Sequence, residues 1–284
     1  KIALAQHKEL KGKISVELKE PLTEKDQLAI YYTPGVGTVS SYVAEHPDEA
    51  RDYTWLGNNV AVISDGSAVL GLGNIGPYGS LPVMEGKSLL FKHFAGIDAV
   101  PIILDVHSAD EIVAAVKAIA PSFGGINLED IAAPICFEVE ERLKKELPIP
   151  VFHDDQHGTA IVVLAGLINA LKIVGKDLND CKVVVSGVGS AGVAIMKLLK
   201  KYAPNVTMIA IDSQGIINSA REGLNSTKLQ LLSDQVIVGD REGSLADALA
   251  DTDIFLGVSQ PGVLTADMIR TMSKDPIVFA MANP

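Results

Sequence analysis

A glycine-rich turn in the second half of the chain restricts the possible folds most strongly. Residues 187–192 have the sequence Gly-Val-Gly-Ser-Ala-Gly, directly after the valine run Val183–Val185 and before a helical pattern that extends to Tyr202. Asp212 ends the next predicted strand, 20 positions after Gly192. A strand, a glycine turn, a helix, a strand and an acid in this order are typical of a βαβ unit that binds a dinucleotide.

Each position of this turn has a physical reason. Gly187 permits a tight turn, Gly189 lets the backbone approach a pyrophosphate, and Gly192 lets the helix pack on the strand. Ser190 and Ala191 open the helix, whose unpaired N–H groups favour an anion, so we expect them to bind the cofactor too. The alternative is a βαβ turn that needs glycine for backbone reasons only. The surrounding pattern favours the dinucleotide.

Asp212 bears on which dinucleotide is used. A carboxylate there accepts hydrogen bonds from the adenine-ribose hydroxyls of NAD and repels the 2′-phosphate of NADP. The next residues, Ser213, Gln214 and Gly215, carry no positive charge, and the nearest arginine is Arg221, nine residues on. The sequence therefore favours NAD, with NADP possible if Arg221 folds back.

Short apolar strands alternate with helices along most of the chain, the pattern of an α/β fold. The predicted strands are Val60–Ile63, Val100–Leu104, Ile126–Leu128, Val151–Phe152, Val183–Val185, Thr207–Ile211, Val236–Val238, Ile254–Val258 and Ile277–Ala280. We predict an N-terminal α/β domain with parallel strands at residues 1–158, for substrate and metal. A Rossmann-type dinucleotide-binding domain follows at 159–284, and we expect its C-terminal part to be missing. The helix Gly158–Val174 is apolar on nearly every side, which predicts that it is buried between the domains.

Composition excludes several classes of protein. The 284 residues include 24 Lys+Arg and 35 Asp+Glu, a net charge of −11, which argues against binding to nucleic acid or to an anionic membrane. The 48% hydrophobic content excludes intrinsic disorder. Cys136 and Cys181 form no CxxC pair, which argues against a disulfide framework and favours a reducing, cytoplasmic location. No signal peptide or membrane-length apolar stretch is apparent.

Two pairs of acidic residues follow predicted strands. Glu129 and Asp130 come after Ile126–Leu128, and Asp154 and Asp155 come after Val151–Phe152. Either pair alone is best explained as a helix cap. Both pairs, however, are predicted at the carboxyl edge of a parallel sheet, where ligands bind. Adjacent acids there repel each other unless a cation joins them. Together they favour Mg²⁺ or Mn²⁺, which prefer oxygen ligands.

Tyr32 and Lys87 are less informative by themselves. Tyr32 stands in a turn with Thr33, Pro34 and Gly35, where a tyrosine is most often simply packed. Lys87 leads into an apolar helix, where burial can lower its pKa enough for it to act as a base. A lysine at a helix start that reaches out to solvent is the plainer explanation.

Several motifs occur together in one order along the chain: Tyr32-Thr33-Pro34-Gly35-Val36, Ser64-Asp65-Gly66, Gly71-Leu72-Gly73-Asn74-Ile75-Gly76, Glu85-Gly86-Lys87, Asn127-Leu128-Glu129-Asp130, His153-Asp154-Asp155-Gln156-His157-Gly158-Thr159-Ala160, and Ala280-Met281-Ala282-Asn283-Pro284. In these motifs the chain resembles the malic enzymes, in their short bacterial form, over nearly its whole length.

The resemblance implies oxidative decarboxylation of L-malate to pyruvate and CO₂ with NAD(P)⁺ and Mg²⁺ or Mn²⁺. It assigns Glu129, Asp130 and Asp155 as metal ligands and places Asp154 just outside the metal, ordering the site. It also implies a homo-oligomer, a dimer or larger.

The resemblance further implies that Lys87 takes the proton of the substrate hydroxyl and Tyr32 protonates the enolate, with Tyr32 able to serve a neighbouring subunit. Asn283 would touch the substrate or the nicotinamide. Larger family members carry an arginine soon after the Asp65-Gly66 position, where this chain has Ser67 and Ala68, so the substrate carboxylate must be held by other groups. The alternatives are a non-oxidative malate or oxaloacetate decarboxylase and a dinucleotide-sensing module without chemistry.

Overall fold

The computed structural model of the chain describes residues 2–69 and 72–282. Two compact units make up the chain. The first comprises Lys1–Ile131 and Glu138–Phe152, and the second Ala132–Phe137 and His153–Pro284.

The first unit combines seven helices with one sheet in the described residues. The helices are α1 (Ile2–Leu10), α2 (Lys25–Tyr31), α3 (Gly35–Glu45), α4 (Ala50–Tyr53), α5 (Gly76–Ala95), α6 (Ala109–Ile119) and α7 (Ile135–Glu146, which starts in the second unit), with short 3₁₀ turns at Pro47–Glu49, Trp55–Asn58 and Ala120–Ser122. The strands are β1 (Asn59–Ser64), β2 (Asp98–Ile103), β3 (Ile126–Leu128) and β4 (Val151–His153), in the order β2-β1-β3-β4.

The position of strand β1 between β2 and β3 explains its uninterrupted run of apolar residues. Its residues Ala61, Val62 and Ile63 are all fully buried, because the sheet is covered on both faces. Ala61 pairs with Val100 of β2 and with Ile126 of β3, both in parallel. The carboxyl ends of β1, β2 and β3 therefore meet at one edge.

The second unit holds a five-stranded sheet. Its strands are β5 (Lys182–Ser186), β6 (Thr207–Asp212), β7 (Gly215–Ile216), β8 (Ile254–Gly257) and β9 (Ile277–Ala280), in the order β7-β6-β5-β8-β9, and only β7 runs antiparallel among the pairings described. The helices are α8 (Asp154–Val174), α9 (Ser190–Tyr202), α10 (Ser226–Ser233), α11 (Leu245–Leu249) and α12 (Ala266–Arg270), with a 3₁₀ turn at Leu178–Asp180.

The valines of β5 show how this sheet is packed. Val183 and Val185 belong to a core cluster on one face, together with residues of α8 and α9. Val184 belongs to the cluster on the opposite face, with Ala248 and Leu249 of α11. A strand buried on both faces needs apolar residues at every position, which is why three consecutive valines occur here.

The prediction that the long apolar helix is buried on all sides is wrong. In α8 the buried positions Ala160, Val163, Leu167 and Leu171 form one face, whereas Ile161 and Val162 are 54% and 66% exposed. By length and composition this helix is the one candidate for a membrane span among the described residues, which is weak evidence, because core helices pass the same test.

Two local predictions also need correction. Val236–Val238 is not a strand, because the N–H groups of Val236 and Ile237 bond to the Leu231 carbonyl and end helix α10. Helix α5 begins at Gly76 rather than near Leu89, with Pro77 in its first turn, a position that proline favours. The N-terminal segment folds largely into α1–α4, none of which has a buried residue.

Candidate functional site

The carboxyl edge of the first sheet concentrates buried acids. Asp65 follows β1, and Glu129 and Asp130 follow β3, the neighbouring strand. Their exposed fractions are 2%, 5% and 4%. The Glu129 N–H donates to the Ile63 carbonyl at 2.8 Å, which extends the strand pairing to the acid itself. Burying carboxylates is costly unless they are paired or bind a cation, so this edge is specialised for a ligand.

Lys87 of α5 reaches this edge. Its Nζ lies 2.9 Å from Glu129 Oε1, and the other Glu129 oxygen accepts a hydrogen bond from Asn127 Nδ2 at 2.9 Å. Within the first unit, Glu129 and Asp130 offer carboxylate oxygens side by side, the kind of donor that suits Mg²⁺ or Mn²⁺.

The second acidic pair opens α8. Asp154 and Asp155 form the first turn of this helix, directly after β4. A Cβ at Gly158 would lie only 2.1 Å from Asp154 Oδ1, so the glycine makes room for this carboxylate. His153 is fully buried, and its Nε2 lies 3.8 Å from Asp155 Oδ2.

Tyr32 occupies a different environment. It follows α2 directly and is 70% exposed. Its hydroxyl forms no hydrogen bond within residues 2–69 and 72–282, so the described structure does not join it to Lys87.

In the second unit, the glycine turn leaves β5 at a topological switch point, with β6 on one side and β8 on the other. Gly187 has a φ of 114°, and a Cβ at Gly192 would lie 1.9 Å from the Gly187 carbonyl oxygen. A Cβ at Gly189 would meet no described atom within 4 Å. Gly187 and Gly192 are thus required by the fold, whereas Gly189 faces open space at the N-terminus of α9, where a pyrophosphate would lie.

Two cations bind Asp212: Arg221 folds back onto it, the alternative that the sequence left open, and Lys228 joins it. Arg221 binds it through both amino groups, at 3.0 Å to Oδ1 and 2.8 Å to Oδ2, and Lys228 Nζ lies 2.6 Å from Oδ2. Burial by itself would raise the pKa of Asp212, but the hydrogen bonds from Arg221 and Lys228 outweigh it and lower the pKa to about 2. Lys228 was missed because it is 16 residues from Asp212 and reaches it only from α10.

Family models match both units. Residues 11–109 and 106–144 match the malic enzyme N-terminal domain, and residues 156–284 match the malic enzyme NAD binding domain. The chain belongs to the malic enzyme family. The resemblance seen in the sequence motifs is therefore confirmed, as is the α/β fold with a Rossmann-type unit.

Individual malic enzymes show how far the similarity extends. The chain is 54% identical over 273 residues to the NAD-dependent malic enzyme of Geobacillus stearothermophilus, which covers 96% of this chain and 57% of that protein. It is 52% identical to the bifunctional malic/malolactic enzyme of Bacillus subtilis, covering 99% of this chain and 68% of that one. The crystal structure of the NAD-dependent malic enzyme of Thermotoga maritima superposes with a TM-score of 0.94 at 48% identity, covering 99% and 75%. The chain thus spans little more than half of the Geobacillus malic enzyme.

The structure locates most of the predicted site residues of this malic enzyme family member. Lys87 and Glu129 are in direct contact, and Asp130 is adjacent in the chain. Gly187, Gly189, Ser190, Ala191, Gly192 and Asp212 lie at the carboxyl edge of the second sheet. Asn283 lies outside the described residues. The roles of all these residues stay predictions, as do those of Tyr32, Asp154 and Asp155.

Proposed function

We propose that the chain carries the oxidative decarboxylation of L-malate to pyruvate and CO₂, with a nicotinamide dinucleotide and a divalent cation. The observation that supports this most is the contact between Lys87 and Glu129 at a sheet edge that also buries Asp130. A base candidate and two carboxylate ligands in one place are what the reaction of this family needs. Neither a binding module nor a sensor requires them.

The proposed cation ligands are Glu129, Asp130 and Asp155, with Asp154 ordering the site from the same turn as Asp155. The carboxylate oxygens that these residues offer and the burial of Glu129 and Asp130 support this assignment. A divalent cation held there supplies Lewis-acid stabilisation of the enolate oxygen that forms when CO₂ leaves.

Lys87 and Tyr32 are proposed to move the protons. Lys87 would take the proton of the substrate hydroxyl, and a nicotinamide held at the glycine turn would supply the acceptor for the hydride of the adjoining carbon. Tyr32 returns a proton to the enolate carbon, giving pyruvate. One group gains and the other loses a proton, as general acid–base catalysis of this sequence requires. The position of Lys87 beside Glu129 supports its role as the base. Glu129 is a proposed ligand of the cation, and a base next to such a ligand also lies next to the substrate.

The exposure of Tyr32 supports a homo-oligomer. Helices α1–α4 have no buried residue, and many of their apolar side chains are more than half exposed, among them Ile2, Leu4 and Ile30, as is Tyr32 directly after α2. Such surfaces mark contacts with another protein. We propose that a second copy of the chain covers them and receives Tyr32 in its own site.

The dinucleotide is proposed to bind at the turn 187–192, with Asn283 near the nicotinamide. We propose that the site accepts NADP as well as NAD. Arg221 and Lys228 together outweigh the charge of Asp212, which removes the repulsion that disfavours a 2′-phosphate. A reducing, cytoplasmic location is also proposed, since Cys136 and Cys181 are buried and not joined in a disulfide.

A second candidate is malate decarboxylation without net reduction of the cofactor. The bifunctional malic/malolactic relative from Bacillus subtilis supports it. Both reactions would use the same proposed residues. They differ in whether reduced cofactor accumulates.

The test is to incubate the chain with L-malate, Mn²⁺ and each cofactor in turn, following the absorbance of the reduced nicotinamide and the formation of pyruvate. We expect equal amounts of pyruvate and reduced cofactor. Loss of malate without either product would favour the second candidate. No loss of malate under any of these conditions would reject both.

A further inference from the structure

The loop after β1 carries a buried carboxylate that the proposed reaction does not use. Asp65 follows β1 directly and is 2% exposed. Its Oδ1 accepts hydrogen bonds from the Ser67 backbone N–H at 3.0 Å and from the Ser67 hydroxyl at 2.6 Å. A carboxylate is costly to bury, so its hydrogen bonds indicate that it stabilises a particular local conformation.

The conformation in question is a tight turn around Gly66. This glycine has a φ of 73°, and a Cβ there would lie 2.3 Å from the Gly76 carbonyl oxygen. Its N–H donates to Ser64 Oγ at 3.1 Å, and its carbonyl accepts from the Ile75 N–H at 3.2 Å. These bonds, with those of Asp65, fix the direction in which the chain leaves the turn at Ala68.

Ala68 connects this turn to the acids after β3. Its N–H donates to the Asp130 carbonyl at 3.0 Å. Asp130 has a φ of 53°, in the left-handed region that residues other than glycine rarely adopt. Because the direction of a side chain depends on its backbone conformation, holding the Asp130 carbonyl also holds the direction of the Asp130 carboxylate.

We propose that Asp65 is a positioning residue for Asp130, acting through the backbone of Ser67 and Ala68. The proposal rests on the proposed function, in which Asp130 binds the divalent cation. In it, Asp65 contacts neither the cation nor the substrate. What matters is the place of its Oδ1 atom, and not its negative charge.

The experiment compares Asp65→Asn, Asp65→Glu and Asp65→Ala by the dissociation constant for Mn²⁺, measured from the electron paramagnetic resonance of free Mn²⁺. Asparagine keeps an oxygen at Oδ1 without the charge, whereas glutamate keeps the charge but displaces the oxygen. We expect Asp65→Asn to keep the wild-type affinity and the other two variants to lose about tenfold, as for other residues that orient metal ligands. At saturating Mn²⁺, the kcat for malate should recover in all three.

The opposite ranking, with Asp65→Glu retained and Asp65→Asn impaired, would overturn the proposal in favour of a charge effect. Wild-type affinity in Asp65→Glu and Asp65→Ala would overturn it as well. If Asp65→Ala does not fold, the asparagine and glutamate variants still decide between geometry and charge. Asp130→Asn serves as the separate control: an unchanged Mn²⁺ affinity there would reject the metal assignment of the proposed function itself.

Discussion

The two sheets present the same kind of edge to a ligand but with opposite charge. At the first sheet, the buried acids Glu129 and Asp130 are adjacent, and Glu129 pairs with Lys87. At the second, Asp212 is met by both Arg221 and Lys228. Parallel strands place their carboxyl ends together in both cases, so the architecture alone does not determine the ligand. The surplus of acids in one unit favours a cation, and the surplus of bases in the other favours an anion such as a phosphate.

The largest effect is expected from removing the surplus acid at the first edge. Glu129→Gln and Asp130→Asn should each lower malate turnover about a thousandfold, because the enolate loses its stabilising cation. Binding of the dinucleotide, measured by fluorescence titration, should persist. Glu141→Gln, at an exposed position of α7, is the matched control. Full turnover of either site variant at limiting Mn²⁺ would contradict the metal assignment.

Substitutions at Lys87 offer the next test, because they separate the positive charge of this side chain from its ability to accept a proton. Lys87→Arg keeps a positive charge beside Glu129. An arginine stays protonated at neutral pH, so it cannot accept the proton of the substrate hydroxyl. Both Lys87→Arg and Lys87→Ala should lower kcat by about a hundredfold or more. Lys92→Ala, which removes an exposed ion pair on the same helix, should leave kcat unchanged. An active Lys87→Arg enzyme would show that the lysine only balances charge.

At the second edge, two glycines distinguish folding from binding. Gly192→Ala places a methyl group against the Gly187 carbonyl and should reduce the free energy of unfolding by about 3 kcal/mol. Gly189→Ala meets no described atom, so its thermal midpoint should equal that of the wild type while its affinity for the dinucleotide falls. Calorimetry and titration together check this. Wild-type affinity in Gly189→Ala would mean that the pyrophosphate lies elsewhere.

The smallest expected effect concerns the choice of cofactor. Lys228→Ala should lower kcat/KM with NADP about tenfold, the value of one charge-assisted hydrogen bond, and leave kcat/KM with NAD nearly unchanged. Lys201→Ala, on the neighbouring helix α9, controls for the general loss of positive charge. An equal fall with both cofactors would show that Lys228 only supports Asp212.

Local sequence determined much of both units. The alternation of short apolar strands and helices, the glycine turn and the acids at strand ends were sufficient to predict the α/β fold and to identify the carboxyl edges. These features depend on neighbouring residues, which is why a strand such as Ile126–Leu128 was predicted with its observed bounds. The family, too, was recognisable from short motifs alone.

Tertiary structure decided the features that depend on residues far apart in the chain. Lys228 reaches Asp212 from helix α10, and this pairing changes the charge around Asp212. Val236 and Ile237 look like a strand, but their N–H groups complete the end of α10. The apolar face of α8 that carries Ile161 and Val162 is exposed, although apolar periodicity predicts burial. An apolar pattern in the sequence indicates that exposing a surface to water is unfavourable. Packing and long-range charge pairing determine which group covers that surface.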